Sequence, residues 1–202
     1  MTTMRKLVLK MSMSIDGFVC GPNREMDWHA KTRSAGGASW VEKTLSQAGV
    51  HIMGSRTFRD MISYWPTSPL PMAVHMNELP KVVFSKSGKI DISHVTSATQ
   101  SLTEVAQKNL STWTTAPVAI DLVSEIKKLK DQDGNYILAH GGATFVQSLI
   151  KHNLIDEYRL VIHPVILGKG MPIFNLADQL YLKLESSTHL DGGVVANVYT
   201  QQ

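Results

Sequence analysis

Residues 137–174 read ILAHGGATFVQSLIKHNLIDEYRLVIHPVILGKGMPIF, and this stretch decides the fold. A short apolar strand at 136–139 runs into a Gly-Gly pair, which ends it. Apolar residues then recur at helical spacing over 145–150, and residues 158–163 form a second apolar strand that a proline closes. A strand–helix–strand order of this kind predicts two parallel strands of one sheet, joined by a helix that covers a face of it.

The same signals continue outward in both directions. The Ser- and Thr-rich region from 92 to 117 is the least regular, with a short helix expected inside it. Toward the amino terminus and through the middle, the predicted elements are strands at 7–14, 50–53 and 82–84, and helices at 40–48 (capped by Ser39), 57–62, 102–110 and 120–129. At the other end, residues 182–188 and 194–200 flank Asp191-Gly192-Gly193, which is typical of a hairpin.

Short apolar strands that alternate with helices predict an α/β protein with three layers, α/β/α. Its central sheet is expected to be twisted and mostly parallel, with the C-terminal antiparallel hairpin at one edge. No internal repeat and no long linker divides the chain, so residues 1–202 are expected to form a single domain.

Composition excludes several classes of protein. The apolar fraction of 43% and the charged fraction of 18% are those of an ordinary globular protein. A net charge of +3 with scattered basic residues gives no nucleic-acid footprint. One cysteine, Cys20, rules out an internal disulfide, and no window approaches the about 18 apolar residues of a membrane helix. Since the polar residues at 10–16 also interrupt any signal peptide, we expect a cytoplasmic protein that contacts neither membrane nor nucleic acid.

Two predicted strands run into glycine and then into a helix, at 52–57 and at 139–144. Ligands of open α/β sheets bind beyond the carboxyl ends of the strands, where glycine lets a phosphate approach the free N–H groups of the helix. Two such ends in one sheet suit a ligand with several phosphates. Taken singly, each glycine is better explained by a tight turn without a ligand, and the spacing is not the G-x-G-x-x-G of a Rossmann site.

Charged and polar residues follow three of the strands. Arg56 and the pair Ser85-Lys86 could grip a phosphate monoester, or they could be ordinary surface residues. Asp16 is the lone carboxylate beside the first turn. It could orient a substrate or relay a proton, and it could equally serve as the turn former of an Asp-Gly pair.

Other kinds of active site find no support. The eight histidines show neither an H-E-x-x-H motif nor a Cys/His cluster, so no metal site is expected. No G-x-S-x-G segment is present, which leaves a hydrolase without its nucleophile.

Six segments together resemble the dihydrofolate-reductase-like superfamily: MSMSIDGFVCGPN, DWH, VHIMGSRTFRDM, KVVFSKS, STWTTAPVAIDLVSEIKKLK and the opening stretch. They are most similar to the C-terminal reductase domain of riboflavin-biosynthesis deaminase-reductases and to its small stand-alone bacterial relatives. Because the segments keep the family order from about residue 5 to residue 175, the resemblance covers most of the chain.

The resemblance implies a dinucleotide that lies across the sheet. Its phosphates and adenosine would contact Gly54, Ser55, Arg56, Thr57, Ser85, Lys86, Gly141, Gly142, Ala143, Thr144 and Phe145. The nicotinamide would point toward the first strand, where substrate is expected beside Ser14, Asp16, Gly17, Trp28, Gly168 and Gly170, with Asp16 as the candidate catalytic residue.

This chain departs from the family pattern in two places. The family often has arginine directly after the first motif glycine, whereas this chain has Ser55 there and Arg56 one place later. The difference bears on the grip on the 2′-phosphate and therefore on the preference for NADPH over NADH. No Trp-x-x-Pro-Ala-Asp-Leu segment supplies the carboxylate that binds folate in dihydrofolate reductases. The chain also lacks the zinc-binding deaminase half, and the region 92–110 is longer than in these relatives.

The resemblance therefore implies an oxidoreductase that uses NADPH, with NADH as the other possible donor. The substrate would be a small heterocycle or a carbonyl or imine compound, such as a 5-amino-6-(5-phosphoribosylamino)uracil-type pyrimidine. A dihydrofolate or pterin reductase and a non-catalytic nucleotide sensor are the alternatives, since a fold does not by itself decide function. The relatives are commonly dimers, which makes a homodimer the expected assembly.

Overall fold

The computed structural model describes residues 4–96, 102–175 and 179–202. Its strands are β1 (Leu7–Ser14), β2 (Phe18–Cys20), β3 (Val50–Gly54), β4 (Lys81–Phe84), β5 (Val118–Ala119), β6 (Ile137–Ala139), β7 (Glu157–His163), β8 (Met171–Pro172), β9 (Leu182–His189) and β10 (Val195–Gln201). Its helices are α1 (Asp27–Lys31), α2 (Ala35–Ser46), α3 (Ser55–Ile62), α4 (Ala73–Glu78), α5 (Ser93–Thr96), α6 (Glu104–Thr114), α7 (Leu122–Lys130) and α8 (Ala143–Lys151).

Eight strands form the main sheet in the order β5-β4-β3-β6-β1-β7-β10-β9. From β5 to β7 all neighbours are parallel, and β10 then runs antiparallel to both β7 and β9. The longest parallel pairing joins β1 to β7, from Val8 opposite Glu157 to Ser14 opposite His163. The predicted parallel sheet and C-terminal hairpin are thereby confirmed.

Helices cover both faces of this sheet because its strands are apolar on both sides. On one face, Leu7, Leu9 and Ile52 pack with residues of α7 and α8 in the larger hydrophobic cluster. On the other face, Val8 and Met53 pack with residues of α2, α3 and α6, among them the fully buried Trp113 of α6. The predicted three-layer α/β/α arrangement is confirmed.

Helix starts were the weakest part of the sequence prediction. The expected start of α2 at Trp40, capped by Ser39, was wrong: the helix begins at Ala35, and the Ser34 side chain accepts a hydrogen bond from the Gly37 N–H. The true start was missed because the first turn contains two glycines, and glycine is a poor helix former that is more typical of a loop.

The Ser- and Thr-rich region contains more helix than predicted. Helix α6 begins at Glu104, capped by Thr103, and ends at Thr114, where the sequence predicted a helix over 102–110. The short helix α5 precedes it, and residues 97–101 of this segment lie outside the described residues. Among the described residues the longest helix, α2, has 12 residues, and none is long and apolar enough to cross a membrane.

A second small sheet, which the sequence did not predict, pairs β2 with β8 in antiparallel fashion. Each strand has only two or three residues, too few for a periodic pattern to be visible. The two strands approach closely at Gly170, where a Cβ atom would lie 2.2 Å from the carbonyl oxygen of Cys20. Glycine at 170 is thus required for the small sheet, which forms one wall of the cleft described next.

Candidate active site

A cleft of about 920 Å³ opens where β3, β4 and β6 end. This is the carboxyl edge of the parallel strands, where open α/β sheets bind their ligands. Every residue that the resemblance assigned to a dinucleotide lines it: Gly54, Ser55, Arg56, Thr57, Ser85, Lys86, Gly141, Gly142, Ala143, Thr144 and Phe145. The fold therefore brings these separate segments to one surface, although their contact with a nucleotide stays a prediction.

The two glycine turns touch each other directly. The Thr57 hydroxyl of α3 donates a hydrogen bond of 2.8 Å to the Gly141 carbonyl in the turn before α8. Gly142 has φ +104°, and a Cβ there would lie 2.6 Å from the Thr57 hydroxyl oxygen. Only glycine fits this junction, which holds the starts of α3 and α8 side by side.

Helices α3 and α8 begin on the cleft without a side-chain cap. The other long helices are capped, by Ser34 at α2, Thr103 at α6 and Asp121 at α7. Uncapped helix starts leave backbone N–H groups that can bind an anion, and the helix dipole adds to the attraction. Two such starts held together can bind adjacent phosphates.

The charge of the lining is strongly one-sided. Its described residues contain a single carboxylate, Asp60, and within the described part of the chain no carboxylate lies within 4 Å of any of its cations to form an ion pair. The cations are Lys10, Arg24, Arg56, Arg59 and Lys86. A concave surface lined by unpaired positive charge concentrates anionic ligands.

The far wall, beside β4, is aromatic and hydroxyl-rich. Phe84 and Phe145 stack with ring centroids 5.3 Å apart. The Ser85 hydroxyl contacts that of Ser87 at 2.9 Å and donates to the Lys89 carbonyl, which shapes the loop after β4. The predicted adenosine-side residues Ser85 and Lys86 thus lie on an ordered turn at the rim of the cleft.

Lys10 is a cleft residue that sequence reasoning missed. It lies in the middle of β1, is partly buried and lines the cleft. Burial lowers the pKa of Lys10 to about 8, since the low-dielectric surroundings disfavour the ammonium form. A lysine inside an apolar strand was the available signal, but its neighbours in space come from elements far away in the chain.

Ser12 and His29 extend the same end of the cleft. The Ser12 hydroxyl lies 3.4 Å from His29 Nε2. Burial, followed by the charge of Lys10, lowers the pKa of His29, and the ring is therefore neutral at pH 7. Among the described residues no three His, Cys, Asp or Glu side chains form a group that could hold a metal ion.

None of the residues predicted to bind substrate is part of the cleft lining. Trp28 is buried, and Gly170 packs on the Cys20 backbone. The buried Ser14 hydroxyl accepts a hydrogen bond from the Phe18 N–H, and its oxygen lies 3.2 Å from the Phe18 carbonyl oxygen. The lining side chains from this region are instead Val19, Cys20, Arg24, Met26, His29 and Met171.

Asp16 holds a loop. Its carboxylate accepts hydrogen bonds from the backbone N–H groups of Leu167 and Gly168, the latter at 2.7 Å, next to the predicted Gly17 turn. A hydrogen bond from Ser14, with those two backbone groups, keeps the pKa of Asp16 below its usual range. An ionised carboxylate that already accepts these bonds is a poor proton donor at neutral pH, so the geometry favours a structural role for Asp16, which holds the distant loop at 167–168, over the catalytic one.

Comparison with known proteins agrees with this architecture. The sequence model of the RibD C-terminal domain matches residues 5–196. The uncharacterized protein YyaP of Bacillus subtilis (strain 168) is 31% identical over 196 residues, which are 96% of this chain and 94% of YyaP. The predicted resemblance is confirmed by these matches.

Solved structures share the fold at low identity. A provisionally described riboflavin biosynthesis protein from Shewanella sp. PV-4 has a TM-score of 0.71 at 20% identity, over 98% of this chain and 99% of that one. A Thermotoga maritima diaminohydroxyphosphoribosylaminopyrimidine deaminase/5-amino-6-(5-phosphoribosylamino)uracil reductase has a TM-score of 0.65 at 15% identity, over 98% of this chain and 57% of that one. This chain therefore corresponds to little more than half of the Thermotoga protein.

The junction of the two turns can be tested by stability. Thr57→Val keeps the side-chain volume but leaves the Gly141 carbonyl without its partner, and we expect the free energy of unfolding to fall by about 1–2 kcal/mol. Thr57→Ser keeps the hydroxyl and should stay within about 0.5 kcal/mol of the parent protein. Urea unfolding at pH 7 measures both, and a Val variant as stable as the Ser variant would contradict the role given to this bond.

Proposed function

This chain belongs to the RibD C-terminal domain family, and on that premise we propose that it is a reductase that passes a hydride from NADPH to a small substrate. The observation that carries the proposal is the pair of uncapped helix starts, joined through Thr57 and Gly141, in one cleft lined by unpaired cations. Such a cleft matches a ligand with adjacent phosphates. A reduced nicotinamide would supply the hydride itself.

The residues present fit a dinucleotide along the whole cleft. A Cβ at Gly54 would lie 3.1 Å from Phe145 and one at Gly142 would lie 2.6 Å from the Thr57 hydroxyl oxygen, so glycine lets the two helix starts pack together. A pyrophosphate would approach their backbone N–H groups without a side chain in the way. Lys86 and the ordered turn after β4 would hold the adenosine end. Arg56 follows directly on the first turn and would grip the 2′-phosphate that distinguishes NADPH from NADH.

The other end of the cleft would take the substrate. Lys10, Ser12 and His29 offer polar groups there, and Val19 and Met171 form an apolar wall. When a hydride adds to the carbon of a C=O or C=N bond, negative charge develops on the oxygen or nitrogen. The Lys10 ammonium would stabilise that charge and donate the proton, because burial has brought its pKa close to neutrality.

A phosphoribosylated aminopyrimidine is the substrate class that we propose. The Thermotoga relative, described as a 5-amino-6-(5-phosphoribosylamino)uracil reductase, supports it by family and fold. Arg24 lines this end of the cleft and would serve a substrate phosphate. A pterin substrate is disfavoured, because dihydrofolate reductases bind folate with a carboxylate. The carboxylate of the described lining, Asp60, belongs to α3 at the proposed phosphate end and not to the substrate end.

The assembly and location remain part of this proposal. Strand β9 forms one edge of the sheet, with Leu184 52% exposed, and a second copy of the chain could cover it to give the expected homodimer. A cytoplasmic location rests on the composition of the chain.

The direct test of the reaction is to incubate the protein with NADPH and a panel of aminopyrimidines and pterins while following the absorbance of the reduced cofactor. We expect oxidation with a phosphoribosylated aminopyrimidine and little with dihydrofolate. Saturable NADPH binding without oxidation across the panel would favour a sensor, and oxidation with pterins alone would contradict the substrate class.

Arg56 can be tested through cofactor preference. A hydrogen bond between charged groups contributes about 1.5–3 kcal/mol, so Arg56→Ala should weaken NADPH binding about tenfold or more and leave NADH nearly unchanged. Calorimetric titration with each nucleotide measures this. Arg59→Ala removes the same charge from the same helix and should change both affinities by one common factor. Equal losses for both nucleotides in Arg56→Ala would show that Arg56 does not read the 2′-phosphate.

Lys10 can be tested through the pH profile of kcat/KM. With a pKa of about 8 and activity in the ammonium form, kcat/KM should be level below pH 8 and fall as the pH rises above it. Lys10→Met should lower kcat by about 100-fold or more and remove that alkaline limb. Lys86→Met, which removes a lysine from the opposite end of the cleft, should keep the limb. A limb that persists in Lys10→Met would assign it to another group.

A further inference from the structure

Two buried histidines lie beside each other where β3 and β6 pair. His51 is the second residue of β3 and is fully buried, and His140 follows β6, lines the cleft and is 5% exposed. Their rings lie 4.7 Å apart between centroids, and His140 Nε2 is 2.8 Å from His51 Nδ1. His51 Nε2 in turn lies 3.1 Å from the His75 carbonyl oxygen.

The direction of these hydrogen bonds follows from chemistry. A carbonyl only accepts, so His51 Nε2 must carry a hydrogen. Burial lowers the pKa of His51 to about 4 and that of His140 well below its usual value, so both rings are neutral at pH 7 and each carries one hydrogen. His51 Nδ1 is therefore an acceptor, and His140 Nε2 donates to it.

The consequence is a bare Nδ1 on His140. The ring lines the cleft, its Nε2 is engaged with His51, and no described residue donates a hydrogen bond to its Nδ1. This nitrogen is not sealed off from solvent, so a molecule bound in the cleft can pair with it. The lone pair requires a donor, and a carbonyl or carboxylate of a ligand cannot satisfy it.

We propose that His51 is a positioning residue that fixes His140 in the tautomer with a bare Nδ1, and that this nitrogen accepts an amide N–H of the ligand in the cleft. Lys10 lies close enough for its charge to act on the His140 ring, and its ammonium only donates. One donor beside one acceptor matches the C=O and N–H of a carboxamide or cyclic amide. The inference rests on the proposed function, in which this C=O and N–H pair belongs either to the nicotinamide carboxamide or to the ring of a pyrimidine.

The tautomer is tested without any ligand. Nitrogen NMR of histidine-labelled protein at pH 7 should show His140 protonated on Nε2 and bare on Nδ1. His51→Gln offers an amide oxygen to His140 and an N–H to the His75 carbonyl, and should keep that signature, whereas His51→Leu should lose it. Protonation of His140 on Nδ1 in the parent protein would overturn the proposal whether or not the chain proves to be a reductase.

The ligand half is tested with matched probes that lack the N–H. The 3-acetylpyridine analogue of NADPH replaces the carboxamide NH₂ by methyl, and 3-methyluracil blocks the ring N–H of uracil. One of the two should bind about three- to tenfold more weakly than its parent compound, which identifies the source of the amide. The discrimination should persist in His51→Gln and vanish in His51→Leu. If NADPH binds, but each analogue binds as tightly as its parent compound, the inference is overturned and the proposed function still stands. Failure of all four probes to bind would remove both.

Discussion

The hydrogen bond from the Thr57 hydroxyl to the Gly141 carbonyl is the constraint on which the cleft depends. It joins two turns that are 84 residues apart in sequence and follow neighbouring strands, β3 and β6. The glycines are there because side chains would fill the space between the turns. Because the junction holds α3 and α8 side by side, their uncapped starts lie next to each other, and in the proposed complex the surrounding cations would act on the same anion.

The two ends of the cleft differ in character, and the difference suits a hydride transfer. The proposed cofactor end carries exposed cations such as Arg56 and Lys86, which would bind phosphate. The inner end is drier, and burial lowers the pKa of Lys10, His29 and His140 there. A dry site strengthens each electrostatic contact with the reacting group and keeps water from it. In the proposed complex, phosphate binding and hydride transfer would take place at opposite ends of the same sheet edge.

Most of the fold could be predicted from local signals, because a strand that alternates, a glycine that ends it and a capped helix each span fewer than about ten residues. The end of the cleft with the two glycine turns could be predicted for the same reason, since Gly54 and Gly141 mark strand ends by themselves. The lining at the other end could not. Lys10, Ser12 and His29 meet only after β1, β6 and α1 have packed, and Asp16 stood out in the sequence although the fold uses it to hold a loop. The His51–His140 pair likewise depends on the register of β3 with β6.

The central claim is that both helix starts bind one dinucleotide. Titration of nitrogen-labelled protein with NADPH tests it most directly, because the backbone amides of 55–57 and of 143–145 report separately. We predict that both groups of amides shift together along one saturable curve with a single dissociation constant. The account would be contradicted if neither group responded at millimolar NADPH, or if only one of the two turns took part.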